Sequence, residues 1–400
     1  MSSAEQRYCR PAARPIRVLV PFNTPYLYGM ERAVLDLFSA VRPEIEAHFV
    51  SAESFRRTRL PVVEELEARN FTHSFLPDGD GGWPALARPK SVAHAWKLAW
   101  TIALSNAFVF TRGHFDAIYI PSATYIYGCT EAAWMRLRGR PVIYHCHDLR
   151  PALGALKLWY PLVTHYVFST EAARSIATQH APAMLQRANV VIPLVVPSWP
   201  EHASTQQDST MRIVYVGQIS YHKGIDLLIE AFAEIAPRFR DAELHLVGGI
   251  ADNFADKFER LLSASDVRSR IHTWGYRSDY KEILRSATVY VQPSPPSRTE
   301  EAFGLAVVEA LAFGIPVVCF PSGSLGEIIR SGVNGIVCTE ASGTALARSI
   351  CAVLANPALR QRLGRAAAES FSYLYSPAIT RERWLDFFTE AILGRPRSIE

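Results

Sequence analysis

Short β-branched or aromatic runs alternate with amphipathic stretches along almost all of this chain, and that rhythm restricts it to one class of architecture. Strand-like runs fall at 16–21, 47–51, 72–76, 115–120, 141–146, 166–169 and 190–192, with helical patterns at 31–40, 131–138 and 171–180 between them. Strands separated by helices pair in parallel through crossover connections, so the pattern predicts an α/β, doubly wound sheet. At 193–210 the rhythm breaks. PLVVPSWPEHASTQQDST holds three prolines and a polar tail, the composition of an interdomain linker. A second series of strands begins at once, at 212–216, 243–247, 271–273, 289–292, 316–320 and 335–338. A length of 400 residues suits two domains. The division read from these breaks is a flexible extension over 1–14, a Rossmann-like domain over 15–195, a linker over 196–210, a second Rossmann-like domain over 211–375 and a helical segment over 376–400. That last segment carries Trp384, Phe387, Phe388 and Ile392 at helical spacing. It can pack on the second domain or cross back to brace the first. Two such domains on one linker leave a cleft at the carboxyl ends of both sheets, where ligands of α/β proteins bind.

Composition narrows the function classes. A formal net charge of +4 is small for this length and gives no reason to expect a nucleic-acid partner. The 6 cysteines include none at C-x-x-C spacing, so neither a zinc site nor a dithiol redox site is suggested. Cys319 lies in an apolar run and reads as buried and reduced, which fits a cytoplasmic compartment. The first fifteen residues contain no apolar core of a secretory signal. The stretch 92–110 is the most apolar, but His94, Lys97, Ser105 and Asn106 interrupt it. It predicts a buried helix, or one lying on a membrane surface with Trp96 and Trp100 at the interface, rather than a span. No G-x-G-x-x-G follows a strand, which disfavours a dinucleotide oxidoreductase.

Two segments carry chemistry. In RIVYVGQISYHKG, at 212–224, a buried strand ends at Gly217 and a helix opens near Gly224. Backbone N–H groups and the positive end of that helix would face an anion, and Lys223 adds a full charge, unless it is simply an exposed surface lysine. In SPPSRTEEAFGLAVVEALAFGIP, at 294–316, the constraint is stronger. From 302 to 320 the single charged side chain is Glu309. A carboxylate in such a run is costly unless a partner satisfies it. A ligand offering two hydroxyls would do so, as would a structural hydrogen bond to the backbone. Glu301 stands eight residues earlier, just before the helix, and Gly304 is expected to leave room for a ligand at a helix N-terminus suited to a diphosphate.

Taken together, VGQ…HKG at 216–224, LVGG at 246–249, EAFGLAVVE at 301–309, EALAFGIPVV at 309–318 and SGSLGEII at 322–329 resemble a family-4 glycosyltransferase of the GT-B fold, with its Glu-x7-Glu motif. The likeness covers nearly all of the second domain and, more loosely, the first. It implies two Rossmann-like domains facing each other across a cleft, the first taking the acceptor. It implies transfer of a sugar, with retention of anomeric configuration, from a UDP- or GDP-linked donor to a hydroxyl of a glycan, a lipid-linked glycan or a small molecule. By the same resemblance Glu309 would bind the ribose hydroxyls, and Glu301 would contact the donor sugar and stabilise the transferring centre. Lys223 would hold the diphosphate with Gly217, Gln218 and the backbone near Phe303, Gly304 and Leu305. The base would lie by Trp274, Gly275 and Tyr276. Gly29 in YGME would approach the phosphates, and His147 in YHCHD would face the reacting sugar. No metal and no other cofactor is implied, since cationic side chains and helix ends neutralise the leaving diphosphate. A cytoplasmic enzyme is implied, and the family allows peripheral contact with the inner face of a membrane. The chain departs from the family at two positions. Gln218 stands where an arginine is usual, and Met30 follows Gly29 where paired glycines are common. A nucleotide-sugar epimerase on the same fold, and a catalytically degenerate GT-B protein that only binds a partner, are the alternative readings. Gln218 speaks for the latter, and the joint presence of Lys223, Glu301 and Glu309 speaks against it.

Overall fold

The computed structural model describes residues 14–22, 24, 27–76, 103, 107, 114–121, 127–147, 149, 160–197 and 210–394, with side chains in the 127–147 stretch from 130 onward. The expected N-terminal extension, the apolar stretch 92–110 with its two tryptophans, and the middle of the expected linker lie outside the described residues, apart from isolated positions.

Two parallel sheets organise the molecule. The first has seven strands in the order β3-β2-β1-β4-β5-β6-β7. These are β1 (Ile16–Pro21), β2 (Ile45–Ala52), β3 (Thr72–Leu76), β4 (Ala117–Ile120), β5 (Val142–Cys146), β6 (His165–Phe168) and β7 (Ala188–Val191). The second has six, in the order β10-β9-β8-β11-β12-β13. These are β8 (Met211–Val216), β9 (Ala242–Val247), β10 (Ile271–Thr273), β11 (Val289–Gln292), β12 (Val317–Cys319) and β13 (Gly335–Val337). In each sheet the order reverses beside the first strand in sequence, which creates the switch point where a crevice opens. All pairings are parallel, for example Ile16↔Ile45 through Pro21↔Val50 between β1 and β2. Helices cover both faces, so the central strands read as unbroken apolar runs. Every residue of β4, β5 and β11 is buried. This is the expected α/β architecture of two facing Rossmann-like units. β4 starts two residues later than the sequence pattern suggests. The residue before it, Asp116, turns its carboxylate to accept from the Arg17 backbone N–H at 3.0 Å and from Arg14 at 2.9 Å.

The halves meet through a shared apolar cluster in which Ala33, Leu194 and Val196 of the first pack with Phe303, Val307 and Leu325 of the second. Polar contacts flank it. Thr170 Oγ1 and Ser324 Oγ are 2.5 Å apart, and the Glu327 carboxylate accepts from the backbone N–H groups of Glu171 and Ala172 at 3.2 and 2.7 Å. Glu327 therefore caps the Glu171–His180 helix of the opposite half, where a negative charge suits the positive helix end.

The closing helix, Pro377–Leu393, leaves the second half and returns to the first. Trp384, Leu385, Phe387 and Phe388 are buried in the first core. Trp384 Nε1 donates to the Pro193 carbonyl at 3.0 Å, and Arg381 binds the Ala40 carbonyl and the Glu44 carboxylate. No helix among the described residues is long and apolar enough to cross a membrane.

Candidate active site

The carboxyl ends of both sheets open onto a cavity of about 460 Å³ lined from both halves. From the first half come Gly29 and Arg32, on the opening turns of the Gly29–Ala40 helix. From the second come the loop after β8, with Gly217, Gln218 and Lys223, then Tyr276, Tyr280, Glu301, Gly304, Leu305 and Glu309. A second cavity of about 480 Å³ shares Gly29, Lys223, Glu301, Gly304 and Leu305, and adds His147, Met30 and Phe303.

The loop after β8 is built for a close approach. Gly224 caps the Ile225–Ile235 helix in the left-handed conformation with φ +73°, and a Cβ there would lie 1.9 Å from the Pro293 carbonyl oxygen. Glycine alone fits that position, so the loop rides on the end of β11 and brings Lys223 over it. Lys223 Nζ donates to Glu301 Oε1 at 2.7 Å. Ser294 Oγ donates to the same oxygen at 2.5 Å and Gln292 Nε2 at 3.1 Å. Burial pushes the Glu301 carboxyl up, but Lys223 and these two hydrogen bonds outweigh it and hold the group below its ordinary value. Glu301 is thus a fixed carboxylate, and its Oε2 takes none of the three bonds.

Glu309 has the opposite character. It lies within the Leu305–Ala312 helix and is buried. Its partner is neither a backbone group nor another member of its own run. The Tyr280 hydroxyl donates to Oε1 at 2.6 Å. Burial pushes its carboxyl up to about 7, against the opposing pull of Tyr280, Lys281 and Arg32. Such a group has capacity left for a ligand that supplies further donors.

Gly304 has a backbone reason to be glycine beside its place at the cavity wall. It caps the Leu305–Ala312 helix with φ +74°, and a Cβ would meet Leu325 Cδ2 at 2.8 Å. The left-handed cap favours glycine here, and the residue lines both cavities.

His147 follows β5 and lines the second cavity, opposite Glu301 and Lys223. Its ring centre is 4.0 Å from that of His145. His145 lies 2.5 Å from the Tyr119 hydroxyl through Nδ1 and 3.2 Å from Ser169 Oγ through Nε2, so it is anchored at both nitrogens. Burial lowers the His147 value to about 3 and keeps the imidazole neutral. Its Nε2 is buried with no hydrogen-bond partner among the described residues.

Trp274 and Gly275 line neither cavity. The indole N–H of Trp274 instead donates to His245 Nδ1 at 3.1 Å, and the two rings stack with an interplanar angle of 15°. His245 Nε2 lies 3.1 Å from Glu243, with His272 beside it. Because the indole donates to Nδ1, the proton of neutral His245 sits on Nε2 and points to Glu243, so this trio serves as the support of Trp274. Of the three residues expected around the base, Tyr276 alone reaches the cavity wall. Sequence reasoning missed Arg32, Tyr280 and Gln292. Gln292 had a signal, a polar residue ending the buried run VYVQ at the carboxyl end of a strand. Arg32 had none, because its role arises only when the two halves meet, and Tyr280 had none, because only tertiary packing within the second half brings its hydroxyl to Glu309.

Residues 200–370 match the family of glycosyl transferases group 1. A glycogen synthase of Mycobacterium tuberculosis is 30% identical over 316 residues, which cover 68% of this chain and 70% of that protein. The chain belongs to the group 1 glycosyltransferases. A lipopolysaccharide core mannosyltransferase, LpcC of Rhizobium leguminosarum bv. viciae, is 34% identical over 146 residues, covering 36% of this chain and 40% of that protein. The chain spans 40 to 46% of the length of the first three curated relatives it matches. Among solved structures, Anabaena Alr3699/HepE in complex with UDP and glucose superposes with a TM-score of 0.74 at 18% identity, over 94% of this chain and 100% of that one, a likeness of fold.

Proposed function

We propose that this group 1 family member transfers a sugar from a nucleoside-diphosphate sugar to an acceptor hydroxyl, with retention of configuration and without a metal. One observation carries the reading. A fixed carboxylate paired with a lysine, Glu301 with Lys223, shares a single cavity wall with the proton-holding carboxyl of Glu309 and the N-termini of two helices. Those groups meet the separate demands of a donor. Glu309, with Tyr280 already on Oε1, offers the acceptor capacity that two ribose hydroxyls need. Lys223 and the amides at the start of the Leu305–Ala312 helix favour negative charge where the bond from the anomeric carbon to the diphosphate oxygen breaks and its electron pair stays on the leaving group. Glu301, ionised and with Oε2 uncommitted, stabilises positive charge developing on the sugar. His147, neutral and with no partner at Nε2 among the described residues, suits a hydrogen bond to a sugar hydroxyl from the opposite half. The UDP and glucose held by the fold relative HepE are consistent with this donor class. The acceptor we assign is a glycan or lipid-linked glycan, in keeping with the named mannosyltransferase and glycogen synthase relatives.

The experiment needs no acceptor other than water. Thermal-shift screening with UDP- and GDP-linked sugars identifies the donor, and its slow hydrolysis is then followed by NMR in the presence of a chelator. The first free sugar released is expected to carry the donor's own anomeric configuration, at a rate the chelator leaves unchanged. The opposite anomer would overturn retention, chelator sensitivity would overturn metal independence, and stabilisation by none of the donors would overturn the donor reading itself.

A further inference from the structure

The charged side chains around the first cavity are largely answered by one another. Lys223 is paired with Glu301, and Arg277 is held by Asp279 through bonds of 2.7 and 2.6 Å. Arg32 differs. Its Nη2 donates to the Tyr276 hydroxyl at 2.9 Å, and its guanidinium carbon stands 4.9 Å from the centre of the Tyr280 ring and 5.6 Å from that of Tyr276. Its contacts are a phenol and two ring faces, and no described carboxylate lies within ion-pair distance of it. Of the acids on its own helix, Asp36 is bound by Arg69 at 2.7 Å and Glu31 accepts from the Tyr28 backbone N–H at 3.0 Å.

A nucleoside diphosphate brings at least two negative charges into this cavity. The Lys223–Glu301 pair is close to neutral as a unit, and Gln218, exposed on the wall, brings no charge. We propose that Arg32 is a donor-binding residue that takes the diphosphate across the cleft from the first half, supplying the cation that Gln218 does not. This rests on the donor reading above. The two tyrosines hold the guanidinium half-buried at the cavity wall, since ring faces and a phenol oxygen favour a cation. They leave its charge unneutralised, as a carboxylate would not. Arginine suits the task because its planar fork can keep one N–H on Tyr276 while others meet phosphate oxygens. Tyr280 ties the same site to nucleoside recognition, because its ring faces Arg32 while its hydroxyl serves Glu309.

The test compares charged and uncharged ligands on the full chain by calorimetry: UDP and GDP against uridine and guanosine, at low and high salt. For Arg32→Gln the expected result is a loss of about tenfold or more in affinity for the diphosphate, a weaker salt dependence, and a nucleoside affinity within about twofold of wild type. Arg32→Lys, which keeps the charge without the fork, should fall between the two. Tyr276→Phe, which removes the parking hydroxyl and keeps the cation, should retain diphosphate binding. Unchanged diphosphate affinity in Arg32→Gln overturns the inference while leaving the donor reading intact. So does an equal loss for diphosphate and nucleoside, which would make Arg32 a brace for the tyrosines. Failure of the wild type to bind either diphosphate overturns the donor reading and this inference with it.

Discussion

Two glutamates eight residues apart show how much a side chain's chemistry depends on what surrounds it. Both are buried, yet Glu301 is drawn below its ordinary value by Lys223 while Glu309 is pushed up to about 7. The difference makes Glu309 a titratable reporter. In the unfolded chain a glutamate titrates near 4.5. Between that value and about 7 the folded protein binds the extra proton, so Glu309 makes stability fall as pH rises through this window. A ligand donating hydroxyl hydrogen bonds favours the ionised form, so nucleotide binding near pH 7 should release a proton. Glu309→Gln should weaken nucleotide binding by about tenfold or more, since hydrogen bonds to a charged group contribute about 1.5–3 kcal/mol. It should also abolish the dependence of the binding enthalpy on the buffer's ionisation heat. Calorimetry of both proteins in two buffers reads both effects, and an unchanged affinity in the folded variant would remove the ribose role from Glu309.

The elements were legible where apolar content and turn chemistry agree. The strand at 289–292 lies where the pattern puts it, because a buried parallel strand leaves an apolar run between polar boundaries, and the edge strand at 271–273 and the helix at 171–180 also keep the expected bounds. Of the candidate site, the residues on consecutive elements of the second half were legible as a group. The loop after β8 and the start of the Leu305–Ala312 helix each announce themselves by local spacing. Placement across the chain was not legible. Periodicity identifies Pro377–Leu393 as an amphipathic helix, but Trp384, Phe387 and Phe388 would read the same whichever core they joined. Nor does local sequence show that the indole N–H of Trp274, which the resemblance puts beside the base, donates to His245. The helix's actual position gives a prediction at this scale. Trp384→Ala should cost about 3–5 kcal/mol, the usual range for deleting a large buried aromatic. The loss should fall on the first half, where Trp384 packs on Tyr119 and His145. Hydrogen exchange should therefore speed up in β4 and β5 and stay unchanged in β8 to β12, and uniform acceleration would contradict that localisation.

At the scale of the whole molecule, the two halves are joined by contacts of two kinds. The Glu327 cap and the Thr170–Ser324 bond lie beside the apolar seam. The Arg32–Tyr276 bond lies in the ligand cavity itself. An anionic donor bound beside Arg32 would pull on the second set and leave the first, away from the cavity, as the side about which the halves turn. In solution the unliganded chain should therefore sample wider openings than the liganded one. Small-angle scattering should give a smaller radius of gyration with the nucleotide sugar than without it, and identical values would count against ligand-driven closure.

The returning helix also has a consequence in time. The Pro193 carbonyl at the end of the first half waits for a tryptophan 191 residues further along the chain. At ribosomal rates of about 5–20 residues per second, roughly 10–40 s separate their synthesis. Throughout that interval the nascent first half presents to its surroundings the apolar trough that Trp384, Leu385, Phe387 and Phe388 later fill. The first core is therefore complete only once the last helix has been made.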